Sequence, residues 1–481
     1  MGANTKKTLI AIAAAIVILL AALIVLFVTE PKEDAESSQS TTTAAEVTSR
    51  LLYEKSPDSI TELKVKNEKG EFQIKRNSSG KLTVTGLEDV ELYDAYITAL
   101  VERASSLVSQ NVIEENATDL SKYGLKNPTA KVSVTFKNGD KKILCIGNDI
   151  PKSEFESVYF CFEGEKTVHT VSKSPLTLFL GIAKENLISP VVTKTPQRDE
   201  NNQLPTVRQL KIERRDFPYT ISMDYDEAQE TFVLTEPVDL KLTETIKYIL
   251  PNGLYGITAI SAVRYPVSEG DLVTAGLDNP LAVISMQSDA GEETLYIGNK
   301  AVSDNGTESY LAMVKGKENI IYSISSDVLP WMKIDVSDIT VGYVYKAVAD
   351  TTDEITIKTR TRQDKIIKSG KLSEETFTAS MNGKEMTVDQ FRNIFKYLFN
   401  FRYERIATDD SVIGGLTPYA SITVKSSGNV RETLEFYDVG NKESVVTYNG
   451  KVSFYCRTAY VDVLEKNLKL LEEGNELVMT W

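Results

Sequence analysis

The chain has 481 residues, of which 42% are hydrophobic and 25% are charged, and this is the composition of a folded rather than a disordered protein. One compact core seldom extends over so many residues, so the length predicts about three folded units. The formal net charge of −14 argues against a nucleic-acid groove, because such a groove needs clustered Lys and Arg to neutralise phosphates.

The most hydrophobic stretch lies near the start of the chain, where residues 9–28 are uncharged and almost wholly apolar. At about 1.5 Å per residue, a helix of this length matches the hydrocarbon core of a bilayer, which is about 30 Å thick. Lys6 and Lys7 precede the run and mainly acidic residues follow it, so the positive-inside rule places residues 1–8 in the cytoplasm and the rest of the chain outside. A cleaved signal peptide is the alternative, although its apolar region usually has only about 7–15 residues. We expect a single-pass anchor in the cell membrane.

Residues 29–50 follow the apolar run and are rich in Ser, Thr, Ala and Glu, with no apolar periodicity. This composition is typical of a flexible linker, because it cannot bury enough apolar surface to fold. The sequence therefore predicts a tether between the membrane anchor and the folded part of the chain.

A short motif occurs three times in the remainder of the chain. It consists of Gly-Leu, a Pro, an alternating apolar strand that begins with Ala two residues after the Pro, and a later Gly that follows an apolar residue. The motif residues are Gly124, Leu125, Pro128 and Gly147; Gly276, Leu277, Pro280 and Gly298; and Gly415, Leu416, Pro418 and Gly440. We interpret the first Gly as a positive-φ residue, the Leu as a core residue, and the Pro as the entry to a strand. The motif therefore predicts three related structural units.

Each unit has the pattern of a hairpin, a helix, the motif, further strands and a short helix. In the first unit, residues 63–74 predict the hairpin and residues 91–110 the helix. In the second unit, a weaker helical pattern at 242–250 is cut by a proline. In the third unit, residues 387–390 match a capping box at the start of a helix. Strands interrupted by one main helix indicate an α+β fold with mainly antiparallel sheets.

These elements predict an N-terminal transmembrane helix followed by three related repeats, each a mainly antiparallel sheet with one principal helix. The predicted boundaries are residues 51–193 for the first repeat, 194–205 for a linker, 206–335 for the second repeat and 336–481 for the third.

Few residues of the chain match the patterns of catalytic or metal sites. His169 is the only histidine, so a histidine-based metal site or proton relay has a single member. Counted from the hairpin glycines, it corresponds to Tyr322 and Tyr455, which is typical of packing. Residues 78–81 match S-x-x-K but lie between two strands, and residues 224–227 lack the glycine and glutamate of a calcium loop. We therefore assign no catalytic, cofactor-binding or metal-binding residue and expect no enzymatic activity.

The three cysteines are equally weak candidates for chemistry. Cys145, Cys161 and Cys456 are an odd number in two distant regions, which is not the framework of a disulfide-stabilised fold. By the same counting, Cys145 corresponds to Tyr296 and Cys161 to Ala312, so neither position requires a thiol. We interpret these cysteines as packing residues.

The densest aromatic stretch of the chain lies at residues 399–403. Phe401 and Tyr403 fall off the main apolar face of the preceding helix, with Arg402 between them. Exposed aromatic side chains beside an arginine are typical of contact surfaces. We therefore predict a contact surface at Phe401, Arg402 and Tyr403.

The first copy of the motif suggests a family. Tyr123-Gly124-Leu125-x-x-Pro128, an alternating strand, Leu144-x-Ile146-Gly147 and a later Tyr159 resemble the bacterial family of domain of unknown function 4340. The resemblance is clear again at residues 271–324 and looser at 411–456, where the Pro comes one residue early. Members of that family are typically membrane-anchored envelope proteins, often associated with ABC transporter systems of the gliding-motility auxiliary type.

The resemblance implies a non-catalytic extracytoplasmic accessory or scaffold protein, an auxiliary component of an ABC transporter or envelope complex with a membrane-protein partner. A protein that binds cell-wall glycan or another polysaccharide is the alternative, and an uncharacterised hydrolase is the third. The sequence leaves the identity of any ligand or partner open.

Overall fold

The computed structural model of the protein describes residues 49–151, 156–244, 253–302, 306–341 and 344–481. The predicted transmembrane segment at 9–28 lies outside these residues, as do nearly all of the tether and most of the helical pattern predicted at 242–250. Among the residues described, no helix is both long enough and apolar enough to cross a bilayer.

Three large sheets of one shared topology follow one another along the chain. In each sheet, a meander of three or four strands runs outward to one edge. A second meander of four strands begins beside the first strand of the first meander and runs to the other edge. A short strand that precedes this second meander in the chain pairs with its last strand, and all of these pairings are antiparallel. The expectation of three sheet-rich, mostly antiparallel repeats is therefore confirmed.

The described residues of the first repeat form ten strands and two α-helices. The strands are β1 (Arg50–Glu54), β2 (Ile60–Asn67), β3 (Gly70–Arg76), β4 (Leu82–Val84), β5 (Ser106–Ser109), β6 (Asn111–Glu114), β7 (Ala130–Phe136), β8 (Lys141–Asp149), β9 (Ser157–Phe162) and β10 (Val168–Ser172). The helices are α1 (Asp94–Arg103) and α2 (Thr177–Leu180). Strands β1 and β5 form a separate two-stranded sheet, and the others form sheet 1 in the order β4-β3-β2-β7-β8-β9-β10-β6.

In the second repeat, the residues that the structure describes form eight strands, all in sheet 2. They are β11 (Val207–Arg214), β12 (Thr220–Asp226), β13 (Thr231–Glu236), β14 (Ser261–Arg264), β15 (Ala282–Ser288), β16 (Gly291–Val302), β17 (Glu308–Val314) and β18 (Ile321–Ser325). Their spatial order is β13-β12-β11-β15-β16-β17-β18-β14, so β13 is an edge strand. Helix α3 (Glu269–Ala275) ends at Gly276 of the motif, and α4 (Val336–Ile339) leads towards the third repeat.

The third repeat has nine strands in sheet 3 and the two longest described helices. The strands are β19 (Glu354–Lys358), β20 (Gln363–Ser369), β21 (Thr378–Met381), β22 (Lys384–Met386), β23 (Arg405–Ile406), β24 (Ala420–Ser426), β25 (Asn429–Gly440), β26 (Glu443–Tyr448) and β27 (Lys451–Arg457). Their order is β22-β21-β20-β19-β24-β25-β26-β27-β23. The helices are α5 (Val388–Phe399) and α6 (Ala459–Glu473), which pack on each other.

The start of helix α5 is the capping box that its sequence predicts. Thr387 Oγ1 accepts a hydrogen bond from Gln390 N at 3.2 Å, and Gln390 Oε1 accepts one from Thr387 N at 2.9 Å. Helix α1, in contrast, is shorter than the predicted 91–110, because Leu107 and Val108 continue the apolar period but belong to strand β5.

One main core extends through all three repeats, and residues 50–481 form one compact unit. Backbone contacts join the first repeat to the second, since Ala259 N donates to Pro190 O at 2.8 Å. The ammonium group of Lys317 donates to Val191 O at 2.9 Å and to Val192 O at 3.0 Å. A smaller apolar cluster lies beside the motif segment in each repeat, apart from the main core. The three sheets are therefore packed together rather than strung out.

Candidate functional site

The motif residues lie at a close backbone crossing in the first two repeats. Gly124 has a φ of 71° and ends a 3₁₀ helix, and Leu125 is buried beneath it. Gly147 lies directly against this turn, where a methyl group in place of its hydrogen would overlap the carbonyl oxygen of Tyr123. Gly298 makes the same approach to the carbonyl oxygen of Ala275. The motif is therefore a packing device.

The third copy of the motif differs from the other two, and two of its predicted equivalences are wrong. Leu416 is 43% exposed and is not a core residue. Gly440 ends β25 at the hairpin to β26, so it does not approach the motif turn. Phe436 pairs with Ala420 just as Ile146 pairs with Ala130, and the residue after Phe436 is a tyrosine where the first repeat has Gly147.

His169 lies in the main-core face of sheet 1, where it pairs with Phe160. The matching pairs are Ala312 with Tyr322 in sheet 2 and Val446 with Phe454 in sheet 3, so the equivalent of His169 in the third repeat is Phe454 and not Tyr455. The error arises because the hairpin before this position differs in length between repeats. His169 is 5% exposed, and burial lowers its pKa. It occupies an aromatic packing position.

Cys145 and Cys161 face each other across strands β8 and β9 and are both buried. Their equivalents in sheet 2 are Tyr296 and Met313, so the assignment of Cys161 to Ala312 is corrected by one residue. The thiols pack with Tyr123 and Leu125 of the motif. Cys456 is also buried, and burial raises the pKa of its thiol to about 12.

The predicted contact surface at residues 401–403 is contradicted by the burial of its rings. Phe401 is 0% exposed and packs edge-on against Tyr460, with ring centroids 4.9 Å apart. Tyr403 is half-buried and stacks on Phe454 at 4.9 Å. Of the three residues only Arg402 is exposed, because the chain after α5 turns back into the core.

A groove that sequence reasoning did not find lies between the second and third repeats, with a cavity volume of about 870 Å³. One wall is edge strand β13 with residues 240–242, and the other is the second half of helix α5. Residues 345–349 form its floor. The lining side chains and backbone belong to Gln229, Thr231, Phe232, Val233, Leu240, Lys241, Leu242, Val341, Tyr345, Lys346, Ala347, Val348, Ala349, Leu372, Arg392, Phe395, Lys396, Phe399 and Asn400.

Aromatic rings dominate the helix side of the groove. Phe395 and Phe399 lie one helical turn apart and stack with centroids 3.8 Å apart and an interplanar angle of 8°. Tyr345 packs against Phe399 at 4.4 Å. Phe395 and Phe399 are only half-buried, although both lie on the apolar face of α5. Part of that apolar face is therefore available to a ligand.

The floor of the groove is held in place by Glu432, which is 4% exposed. Its carboxylate accepts hydrogen bonds from Lys346 N at 2.6 Å and Ala347 N at 2.8 Å, and from the Tyr448 hydroxyl at 2.6 Å. Three donors satisfy this buried charge and fix the backbone beside Tyr345.

The charge of the groove is positive, in contrast to the acidic chain. Lys241, Lys346, Arg392 and Lys396 line it and are exposed, whereas no Asp or Glu belongs to its described lining. Lys346 forms an ion pair with an aspartate outside the lining, and so does Arg392. Lys241 and Lys396 form no ion pair with any described residue.

Tyr345 belongs to the lining of the groove, but its hydroxyl is closed off from solvent. The residue is 7% exposed, and its hydroxyl has no hydrogen-bond partner among the described residues. The Thr231 hydroxyl on the opposite wall is likewise buried and without a partner there. Because both oxygen atoms are closed off from solvent, neither hydroxyl reaches the accessible space of the groove, and the polar groups that face a ligand there are the exposed cations.

The sequence contains only a partial signal for this groove. The apolar face of α5 is visible in the sequence, and so is the run of small and apolar residues at 347–349. The cavity itself forms only where the edge of sheet 2 meets the third repeat, and such long-range packing has no local pattern. Elsewhere among the described residues, no group of three or more His, Cys, Asp or Glu side chains is arranged to hold a metal ion.

Comparison with known proteins gives one match. The family model of a domain of unknown function (DUF4340) matches residues 83–231. This segment contains the first copy of the motif and ends where strand β13 begins, so it crosses from sheet 1 into sheet 2. Neither the curated proteins nor the solved structures contain a match. Residues 83–231 therefore match the DUF4340 family, which is the family that the first copy of the motif resembles.

Proposed function

We propose that the protein is a non-catalytic, membrane-anchored accessory or scaffold protein of the cell envelope that works by binding. The observation that carries this proposal is the groove between the second and third repeats, which combines stacked, half-buried rings with four exposed cations. A largely apolar cavity with a few convergent polar groups is the usual form of a binding site.

The apolar run at residues 9–28 supports the membrane context of the proposal. An anchor confines the groove near other membrane components and so raises its effective concentration towards them. An auxiliary role in an ABC transporter or another envelope complex follows from the family resemblance. The glycan-binding alternative is less well supported, since the ring of Phe401 is buried and that of Tyr403 is half-buried.

Photo-crosslinking in native membranes tests the accessory role. A photoreactive amino acid is placed in turn at Val273, Val302 and Val348, which are 63%, 71% and 60% exposed. We expect at least one position to give a covalent adduct with a membrane protein, identified by mass spectrometry. The same residue placed at the buried Val424 is the matched control and should give no adduct with another protein. Recovery of no membrane protein from any exposed position would contradict the proposal.

A further inference from the structure

The groove also has a chemical preference, and this inference rests on the proposed binding function. We infer that the groove binds a single-chain anionic lipid, with the acyl chain between strand β13 and helix α5 and the anionic head group at the lysine-rich rim.

The acyl chain is matched by the apolar walls. The accessible apolar lining consists of the half-buried Phe395 and Phe399, which stack on each other. The partly buried Val233 and Leu372 and the 60% exposed Val348 extend it. The volume of about 870 Å³ lies within the range of about 300–1,000 Å³ that is usual for small-ligand sites. A flexible chain fills an irregular groove of this kind and removes the half-buried rings from water.

The head group is matched by two lysines on opposite walls. Lys241 follows strand β13 and Lys396 lies on helix α5, and both are exposed without an ion-pair partner among the described residues. Arg392 and Lys346 add two further cations, each of which already forms an ion pair with its own aspartate. The whole chain has 68 acidic and 54 basic residues, so a lining that contains four cations and no described carboxylate favours an anionic ligand.

Photoaffinity labelling of the full chain in membranes tests this inference. The probe is hexadecanoic acid that carries a diazirine and an alkyne, and the neutral comparison is the matching hexadecanol. We expect the acid to label peptides that contain residues 231–242 or 392–400, with labelling by the alcohol about fivefold lower because it lacks the charge.

Charge variants separate the groove from non-specific adsorption. The double variant Lys241→Gln/Lys396→Gln should reduce labelling of the groove peptides by the acid about fivefold. The control Lys137→Gln/Lys141→Gln removes two exposed lysines on sheet 1, outside the groove, and should leave labelling unchanged.

Three results would overturn the inference. They are the absence of label from the groove peptides, equal labelling by acid and alcohol, and equal loss in the two double variants. If labelling fails while the valine positions still crosslink to a membrane protein, the lipid assignment is wrong and the accessory role stands. If labelling succeeds and no membrane protein is recovered, the groove binds lipid but the accessory role fails.

Discussion

His169 lies between strands β9 and β6 with its Nδ1 atom 3.1 Å from Ser109 Oγ. The Ser109 hydroxyl donates its hydrogen to Asn111 O at 3.1 Å, so it accepts from Nδ1–H of the imidazole. The pKa of His169 is lowered, mainly by burial, so the ring is neutral at pH 7. The residue that first suggests chemistry is thus a buried neutral ring with one hydrogen bond.

Substitution of His169 by Phe should reduce the sensitivity of folding to acid. The unfolded chain takes up a proton near pH 6.5, whereas the folded state resists protonation until a lower pH. Stability contributed by the neutral ring is therefore present above about pH 6.5 and falls as the pH drops towards the folded pKa. Urea midpoints measured at about pH 7.5 and 5.5 should therefore fall further in the wild type than in the variant.

Because His169 is the only histidine, the difference in pH-dependent stability between wild type and variant separates its contribution from that of the carboxylates. Phe is the suitable replacement, because Phe454 occupies the equivalent place in the third repeat. An identical pH dependence in the two proteins would show that the ring is protonated equally well in both states.

At the scale of elements, the motif turn and strand β8 form one packed unit. The turn ends in Gly124, and Leu125 fills the space beneath it. Gly147 lets the strand pass against the Tyr123 carbonyl. In the third repeat, Tyr437 stands at the strand position of Gly147, and there Leu416 is exposed. The glycine is therefore needed only where the turn packs closely.

Gly147→Ala should destabilise the protein by roughly 1–3 kcal/mol, because the added methyl group overlaps the Tyr123 carbonyl and contacts Leu125. Gly181→Ala is the matched control, since its φ is −125° and nothing lies within 4 Å of the added methyl group. The measurement is the urea midpoint by circular dichroism. A loss of the same size in both variants would refute the close approach and indicate a general cost of replacing glycine.

The sequence predicts these elements unevenly, for physical reasons. Alternating apolar residues identify β2, β3, β7 and β15, since each has one buried face. The capping box locates the start of α5 correctly. Helix α1 is overestimated because Leu107 and Val108 extend its period by chance into β5, where pairing with β1 decides the structure. Local periodicity cannot report a pairing partner more than fifty residues away.

At the scale of the whole molecule, the three sheets share the main core. Buried residues of all three sheets belong to the main cluster. Trp331 is fully buried at the end of the second repeat, and Trp481 packs on Tyr397 and Tyr460 in the third, with ring centroids 5.3 Å and 5.2 Å apart. The two tryptophans thus report on different repeats.

We expect residues 50–481 to unfold in one cooperative transition, because loss of one sheet exposes apolar surface of the next. The test uses the single-tryptophan variants Trp331→Phe and Trp481→Phe. For each variant, the urea midpoint measured by fluorescence should equal the midpoint measured by circular dichroism. Separate midpoints for fluorescence and circular dichroism within one variant would instead show repeats that unfold independently.

The groove also belongs to this scale, which is why the sequence did not predict it. Phe395 and Phe399 lie on the apolar face of α5, a position typical of the core, and both are only half-buried. Phe401, expected at the surface, is fully buried. Which of these rings the core covers depends on the return of the chain after α5 and on the edge strand β13 of the previous repeat. Neither is a local property of residues 388–403.

The hairpin between the last two strands of each second meander has five, six and two connecting residues in the first, second and third repeats. Each version nevertheless delivers an aromatic ring, that of His169, Tyr322 or Phe454, to the same place in its sheet. Spatial register is therefore set by the ring and its cross-strand partner, and the connection is free to gain or lose residues. Insertions and deletions accumulate most easily there, and the connection around Gly164 is a natural place to insert an epitope tag or a fluorescent reporter.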